Sequence, residues 1–146
     1  ENPTLKFNVL ESNSITEIGP YKITMIPVNH PAGGHGFIVE KDNKSIVFTQ
    51  DTGPTDKIWE ESKKFKNLKA IFTEVSFPDH MHEVARLSFH HTPKTISEEI
   101  GKMPGEVPIF LGHLKPNFQA QLSQEVDALG NERISLLSSD DVSYVF

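Results

Sequence analysis

Cysteine is absent from the 146 residues of this chain. Disulfides and thiolate metal sites are therefore excluded, and a transition-metal site has to use histidine and carboxylate side chains, which suit zinc, manganese or iron. The sequence also lacks the ~20 consecutive apolar residues that a membrane helix requires, and it lacks a signal-peptide pattern at its start. No membrane partner is predicted. The compartment stays open, with the cytoplasm slightly favoured over the periplasm.

Positive charge is scarce as well, with 14 basic against 20 acidic residues and a formal net charge of −6. Proteins that mainly hold nucleic-acid backbone are expected to be basic, so nucleic acid is disfavoured as a partner. A small phosphate ester bound through metal ions remains compatible with this charge. With 36% hydrophobic residues and 10 Phe, the chain can bury one core, and its length favours a single domain over residues 1–146.

Apolar runs separated by turn residues predict an alternation of strands and helices. Strands are predicted at residues 5–10, 21–28, 36–40, 45–50, 68–75, 107–111, 133–137 and 142–146. Helices are predicted after Thr55, from a capping box of Thr95 and Glu98 to about Met103, and around Leu122 before Gly130. Residues 76–87 are polar and have no clear assignment. The alternation indicates an α/β fold.

Three residues that could bind metal each follow a predicted strand: His30, Asp51 and His113. Ligands at strand ends can converge at one rim of a sheet, and two imidazoles with one carboxylate form a partial set for one or two divalent metals. Each residue can equally be a loop residue that caps backbone groups. Spacing alone does not decide between these interpretations.

Four local sequences around these residues occur in a characteristic order. They are Val28-Asn29-His30-Pro31 with Gly36-Phe37-Ile38, then Gln50-Asp51-Thr52-Gly53-Pro54-Thr55, then Ser88-Phe89-His90-His91-Thr92-Pro93, and then Gly112-His113-Leu114-Lys115-Pro116. Together they resemble the class II cyclic-nucleotide phosphodiesterases, which have the metallo-β-lactamase fold and are similar to the transfer-RNA 3′-processing nucleases. The resemblance covers about residues 20–118 and includes Ile71-Phe72-Thr73-Glu74-Val75-Ser76-Phe77-Pro78.

The resemblance implies the C-terminal part of an αββα sandwich that holds two divalent metal ions, with zinc favoured over manganese or iron. By the same resemblance, His30 and His113 are metal ligands, Asp51 bridges the two metals, and His90 protonates the leaving oxygen. His91 is the alternative to His90, which we prefer because it begins a His-x-Thr-Pro pattern. The implied reaction is hydrolysis of a small-molecule 3′,5′-cyclic nucleotide, cyclic AMP, to the 5′-monophosphate by a metal-bound hydroxide.

The family's first motif, His-x-His-x-Asp-His, is missing from this sequence. His80-Met81-His82 is the only His-x-His, and it follows the Asp51 motif, so we interpret it as solvated loop histidines. We therefore expect an N-terminal half of the domain, absent here, to supply the remaining ligands. The alternatives are an RNA 3′-processing endonuclease of the same fold and a catalytically incomplete binding or structural module, and a homodimer stays open.

Three further residues could contribute to the site: Glu74, His35 and Trp59. Glu74 lies near a strand end, where it could hydrogen-bond a ligand histidine. His35 is interpreted as part of a flexible glycine-rich loop. Trp59 is expected to pack in the core rather than to stack on a base.

Overall fold

The computed structural model of the protein describes residue 5, residues 7–137 and residues 142–146. Within these residues seven strands form one sheet in which spatial order follows chain order. They are β1 (Ile15–Ile18), β2 (Tyr21–Pro27), β3 (His35–Lys41), β4 (Lys44–Phe48), β5 (Leu68–Glu74), β6 (Ile109–Gly112) and β7 (Ile134–Leu136). Strands β1 to β4 pair antiparallel, and β4 to β7 pair parallel.

Helices make the connections within the parallel half, because parallel neighbours require a crossover. Helix α1 (Lys57–Ser62) joins β4 to β5, α2 (His82–Ser88) and α3 (Pro93–Glu99) lie between β5 and β6, and α4 (Gln119–Ala128) leads to β7. Short 3-10 turns at Asp79–Met81 and Pro116–Phe118 precede α2 and α4. None of the helices in the described part of the chain is long and apolar enough to cross a membrane.

The core lies between one face of the sheet and the helices. Strand register aligns a cross-strand row consisting of Thr24, Ile38, Val47, Ile71 and Ile109. The four aliphatic members of this row are fully buried, as are Ile58, Trp59, Ile96 and Leu122 of the helices. A seven-stranded sheet with helices packed on this face confirms the α/β fold class, and the strands predicted at residues 36–40 and 45–50 pair as the hairpin of β3 and β4.

The opposite face of the sheet carries a second cross-strand row, which we call the aromatic row: Met25, Phe37, Phe48, Phe72 and Phe110. All five residues are only partly buried. Phe72 stacks on Phe48 and on Phe110 with ring centroids 4.9 Å apart in both pairs. A continuous apolar stripe on a sheet face usually lies against another layer, because its exposure to water is unfavourable.

The C-terminal residues cover part of the aromatic row but do not form a strand. Residues 142–146 are irregular, so the strand predicted there is wrong. The Tyr144 ring lies 4.6 Å from that of Phe110, and Lys44 Nζ donates to the Phe146 carbonyl oxygen at 2.6 Å. The alternation of apolar residues in this segment therefore reflects packing on the sheet rather than pairing within it.

Other differences between the predicted and the observed structure occur at the ends of strands and helices and in the polar segment 76–87. Residue 6 of the strand predicted at 5–10 lies outside the described residues, and residues 7–10 are irregular, whereas β1 was not predicted. The unassigned segment 76–87 contains a 3-10 turn and most of α2. Helix α3 is capped by Thr92, whose hydroxyl accepts from the Thr95 amide, so the capping box predicted from Thr95 is displaced by three residues.

Candidate metal centre

Four strand ends meet at one edge of the sheet. Strands β2, β4, β5 and β6 run in the same direction, because β2 and β4 are both antiparallel to β3 and the later pairs are parallel. His30 follows β2, Asp51 follows β4, Ser76 follows β5, and His113 follows β6. The topology therefore places side chains from distant parts of the sequence around one cleft.

Two overlapping groups of possible metal ligands occupy this cleft. His30, Asp51 and His90 form one group, and Glu74, His90 and His113 form the other, with the ligand atoms of each group within 4.8 Å of one another. The His90 ring lies between the rings of His30 and His113, at centroid distances of 5.4 and 5.2 Å. The structure thus brings together all four residues that the sequence singled out.

The Glu74 carboxylate fixes the orientation of the His90 ring. Its Oε1 lies 3.0 Å from His90 Nδ1 and accepts from the His91 amide at 2.9 Å, while Oε2 accepts from the Ser76 hydroxyl at 2.7 Å. The Glu74 side chain is 3% exposed and that of His90 is 10% exposed. Among the described residues the hydrogen bonds of the His90 ring use Nδ1, which leaves Nε2 for the cleft.

His113 contacts three polar groups. Its Nδ1 lies 3.0 Å from Asp51 Oδ1 and 3.1 Å from the Ser76 hydroxyl, and its Nε2 lies 3.2 Å from Lys115 Nζ. Ser76 is completely buried. Its hydroxyl contacts both the Glu74 carboxylate and the His113 ring, so it links these two residues. No signal in the sequence beyond its position after a buried strand marks Ser76.

His91 is directed away from the cleft. It is completely buried, its Nδ1 lies 3.0 Å from the Thr95 hydroxyl, and Nε2 has no partner among the described residues. Burial lowers the pKa of this imidazole from its ordinary value, because the protein interior disfavours the charged form. The two neighbouring histidines therefore occupy different environments, and it is His90 that faces the candidate ligands.

Three residues at the cleft have left-handed backbone conformations. Gln50, Phe89 and His113 have φ angles of 57°, 58° and 59°. Such values disfavour residues that carry a Cβ by about 1–2 kcal/mol, and strained residues of this kind concentrate at functional sites. Gln50 directly precedes Asp51 and Phe89 directly precedes His90, so the strain accompanies the turns that aim these two side chains.

Hydrogen bonds hold the two loops that carry His30 and Asp51 against each other. The Gly53 amide donates to the Asn29 carbonyl oxygen, and the Asn29 side chain donates to the Pro54 carbonyl oxygen, both at 2.9 Å. Buried Glu99 of α3 anchors the same loop by accepting from the Thr55 amide and the Trp59 indole N–H. Thr55 therefore does not cap α1, and Trp59 packs in the core as expected.

The remaining histidines lie outside both groups of ligands. His80 and His82 are exposed, and His82 begins α2 rather than lying in a loop. His35 begins β3, so its assignment to a flexible loop was wrong. Its Nε2 lies 3.3 Å from the Ser12 hydroxyl.

The donor set of the cleft could hold a divalent metal ion. Imidazole nitrogen and carboxylate oxygen are ordinary ligands of zinc, manganese and iron. Asp51 Oδ1 lies at a hydrogen-bond distance of 3.0 Å from His113 Nδ1, so a carboxylate oxygen and an imidazole nitrogen are adjacent in the cleft. Asp51, Glu74 and His113 also line an open cavity of about 400 Å³, so an ion can reach them.

No protein-family model and no curated protein matches the sequence. Several solved structures match the fold. The metallo-β-lactamase fold protein YhfI from Bacillus subtilis is 16% identical with a TM-score of 0.70, over 89% of this chain and 51% of that one. Human tRNase Z, short form, is 14% identical with a TM-score of 0.60, over 84% of this chain and 42% of that one.

A diphosphatase from the PhnP family is 15% identical with a TM-score of 0.60, over 87% of this chain and 44% of that one. The chain therefore spans about half the length of these three structures. At such low identity the likeness concerns the fold alone. Over the residues that the structure describes, the chain has the fold of the corresponding part of metallo-β-lactamase-type proteins.

Proposed function

We propose that this chain forms the ligand-rich edge of a metal-dependent hydrolase that cleaves phosphodiester bonds in 3′,5′-cyclic nucleotides. The observation that carries the proposal is the convergence of His30, Asp51, His90 and His113 on one cleft. Two proteins of similar fold are described as a transfer-RNA nuclease and a diphosphatase, both of which act on phosphate linkages. The net charge of −6 suits a small substrate better than an RNA backbone.

In this proposal His30, Asp51 and His113 hold up to two divalent ions, zinc first among the candidates. Bound ions of this kind lower the pKa of water and neutralise charge on phosphoryl oxygens. Asp51 lies within reach of His30 and contacts His113, so its carboxylate would be able to serve both metal ions. Lys115, beside His113 at the rim, adds a positive charge for a non-bridging phosphate oxygen.

His90 acts as the general acid in this proposal. With its Nδ1–H donated to Glu74, an imidazolium at this position presents its second proton at Nε2, towards the cleft. In the hydrolysis a hydroxyl group from water would form a new bond to the phosphorus, and the bond from the phosphorus to the 3′ oxygen would break. The His90 proton would pass to that 3′ oxygen, which leaves a nucleoside 5′-monophosphate. Glu74 stabilises the cationic ring and keeps it in one orientation.

The remaining metal ligands, in this proposal, belong to a second layer that packs on the aromatic row. Phe48 and Phe72 line the same cavity as Asp51 and His113, so a layer on this face would reach the cleft directly. The part of the aromatic row that residues 142–146 leave uncovered provides the apolar surface that such a layer would bury. Because the chain spans about half of the similar structures, we assign this layer to polypeptide beyond the 146 residues.

The test uses protein that includes the proposed second layer, loaded with zinc or manganese, and compares its cyclic AMP hydrolysis with that of the His90→Gln variant. Loss of a general acid lowers the rate by about 10²–10⁴-fold, whereas the exposed control His80→Gln should retain full activity. Equal rates in wild type and His90→Gln would refute the role of His90. Cleavage of a transfer-RNA precursor without cyclic AMP hydrolysis would favour the nuclease alternative, and metal binding without either reaction would favour an incomplete module.

A further inference from the structure

A second cavity adjoins the metal centre on the helical side. It has a volume of about 460 Å³, within the range of small-molecule sites, and His90 forms part of its wall. We call it the α2 pocket. Its apolar wall consists of Pro54, Ala85, Leu87 and Phe89. His90 therefore has the candidate metal ligands on one side and an apolar chamber on the other.

The conformation of Phe89 is difficult to explain by folding alone. Phe89 is the C-cap of α2, with a φ of 58°, a position at which glycine is strongly preferred. Burial of its side chain offsets this strain only in part, because 37% of the residue stays exposed. An aromatic residue is thus kept in a strained conformation at the mouth of a cavity, which indicates a use for its ring.

The polar groups around the pocket are suited to a neutral ring rather than to a phosphate. Arg86 is paired with Glu83 through two hydrogen bonds of 3.1 and 2.9 Å, so it provides little free positive charge. The Asn29 amide and the His82 imidazole also border the pocket and can contact polar atoms. Apolar walls with a few polar groups match the faces and edges of a nucleobase.

We propose that the α2 pocket binds the nucleobase of the substrate, with the ring against Phe89. This inference rests on the proposed function, since it places the base of a nucleotide next to the histidine that protonates its ribose oxygen. It also assigns a specificity role to residues of α2 that have no place in the metal centre. Base–aromatic contacts tolerate different bases. The pocket should therefore distinguish a nucleoside from a sugar phosphate without a base more strongly than it distinguishes adenine from guanine.

The experiment titrates the metal-free protein with adenosine and, separately, with ribose 5-phosphate, followed by NMR of the protein amides. Adenosine should bind in the millimolar range and shift amides of α2 and the Gly53-Pro54 loop, whereas ribose 5-phosphate should not. Phe89→Gly should weaken adenosine binding by about fivefold or more, as loss of a base-stacking contact does. Its melting temperature should equal or exceed that of wild type, because glycine relieves the strain.

Two further variants complete the design. Leu87→Asp, at a position 66% exposed, should also weaken adenosine binding while leaving the fold intact, whereas Val84→Ala on the same helix but outside the pocket should not. Absence of adenosine binding to the wild type, or unchanged affinity in both Phe89→Gly and Leu87→Asp, would overturn the proposal.

The outcome can be separated from that of the hydrolase proposal by measuring bound zinc in separate, zinc-loaded and dialysed samples of the same variants. Asp51→Ala should lose zinc but still bind adenosine, and Phe89→Gly should retain zinc. Zinc binding without adenosine binding would leave the metal centre and remove the base pocket. Adenosine binding that depends on Phe89, in a protein that binds no zinc, would support the base pocket and remove the metal centre.

Discussion

Replacement of Glu74 by alanine should strongly destabilise the protein and disrupt the metal centre. Three donors lose their acceptor in this variant: the amide of fully buried His91, the hydroxyl of fully buried Ser76, and the nearly buried His90 ring. Each buried donor left without a partner costs about 1–3 kcal/mol. Ser76 and His90 can partly turn towards other acceptors, so we expect a total of about 3–5 kcal/mol.

Thermal unfolding followed by circular dichroism measures this loss. For a chain of this size 1 kcal/mol corresponds to about 2–4 °C, so the melting temperature of Glu74→Ala should fall by about 6–20 °C. Glu74→Gln keeps one carbonyl oxygen for His90 and His91, and Ser76 can accept from the new amide, so less than half of this fall is expected. The control Glu83→Ala removes an exposed carboxylate and should change little. Equal melting temperatures for Glu74→Ala and wild type would refute the bridging role of this carboxylate.

Two further predictions concern the framework around the site. The Lys102 ammonium donates hydrogen bonds to the carboxylates of Asp56 and Glu99, which raises the pKa of Lys102 to about 12. The stabilising contribution of these bonds is therefore complete below pH 10.5 and is lost as the pH rises through 12. Lys102→Met should therefore melt below wild type at pH 8, with a difference that shrinks above pH 10.5; a difference independent of pH would contradict this. An added Cβ at Gly36 would lie 2.5 Å from a side-chain carbon of α1 and 2.8 Å from a backbone oxygen of β4. Gly36→Ala should cost about 1–3 kcal/mol, whereas Gly101→Ala, with open space around it, should not, and equal stability of the two variants would be inconsistent with this packing.

The strands of the parallel half were predictable because their signal is simple. Two-sided apolar runs bounded by turn residues predicted β5 and β6 to within two residues at each end. The glycine after α4 was equally informative, since Gly130 has a φ of 59°. Where local pattern and tertiary packing agree, the sequence is sufficient.

Helix α2 could not be predicted, because its stability does not come from an apolar stripe. Ala85 is its only buried residue, so the segment shows no helical periodicity. The start of α3 was missed for a different reason. Thr95 and Glu98 fit the usual capping pattern, but Thr92 followed by Pro93 at the first helical position is the cap that forms.

The sequence predicted which residues come together at the site better than it predicted the hydrogen bonds between them. The order of the motifs singled out His30, Asp51, His90 and His113, which the fold brings to one cleft. Glu74 was a candidate partner for a histidine without a way to say which one, because its choice of His90 depends on the geometry of β5 and the segment after α2. Their roles in metal binding and catalysis stay predictions.

The most direct test of the metal centre is the zinc content per chain after dialysis, measured on wild type, Asp51→Ala and the exposed control Asp127→Ala. We predict zinc in wild type and Asp127→Ala and a clear reduction in Asp51→Ala. Zinc at 100 times its dissociation constant adds about 2.7 kcal/mol, so it should also raise the melting temperature of wild type by about 5–11 °C. Zinc content that is unchanged by Asp51→Ala, or absent from all three proteins, would contradict the metal centre described for this chain.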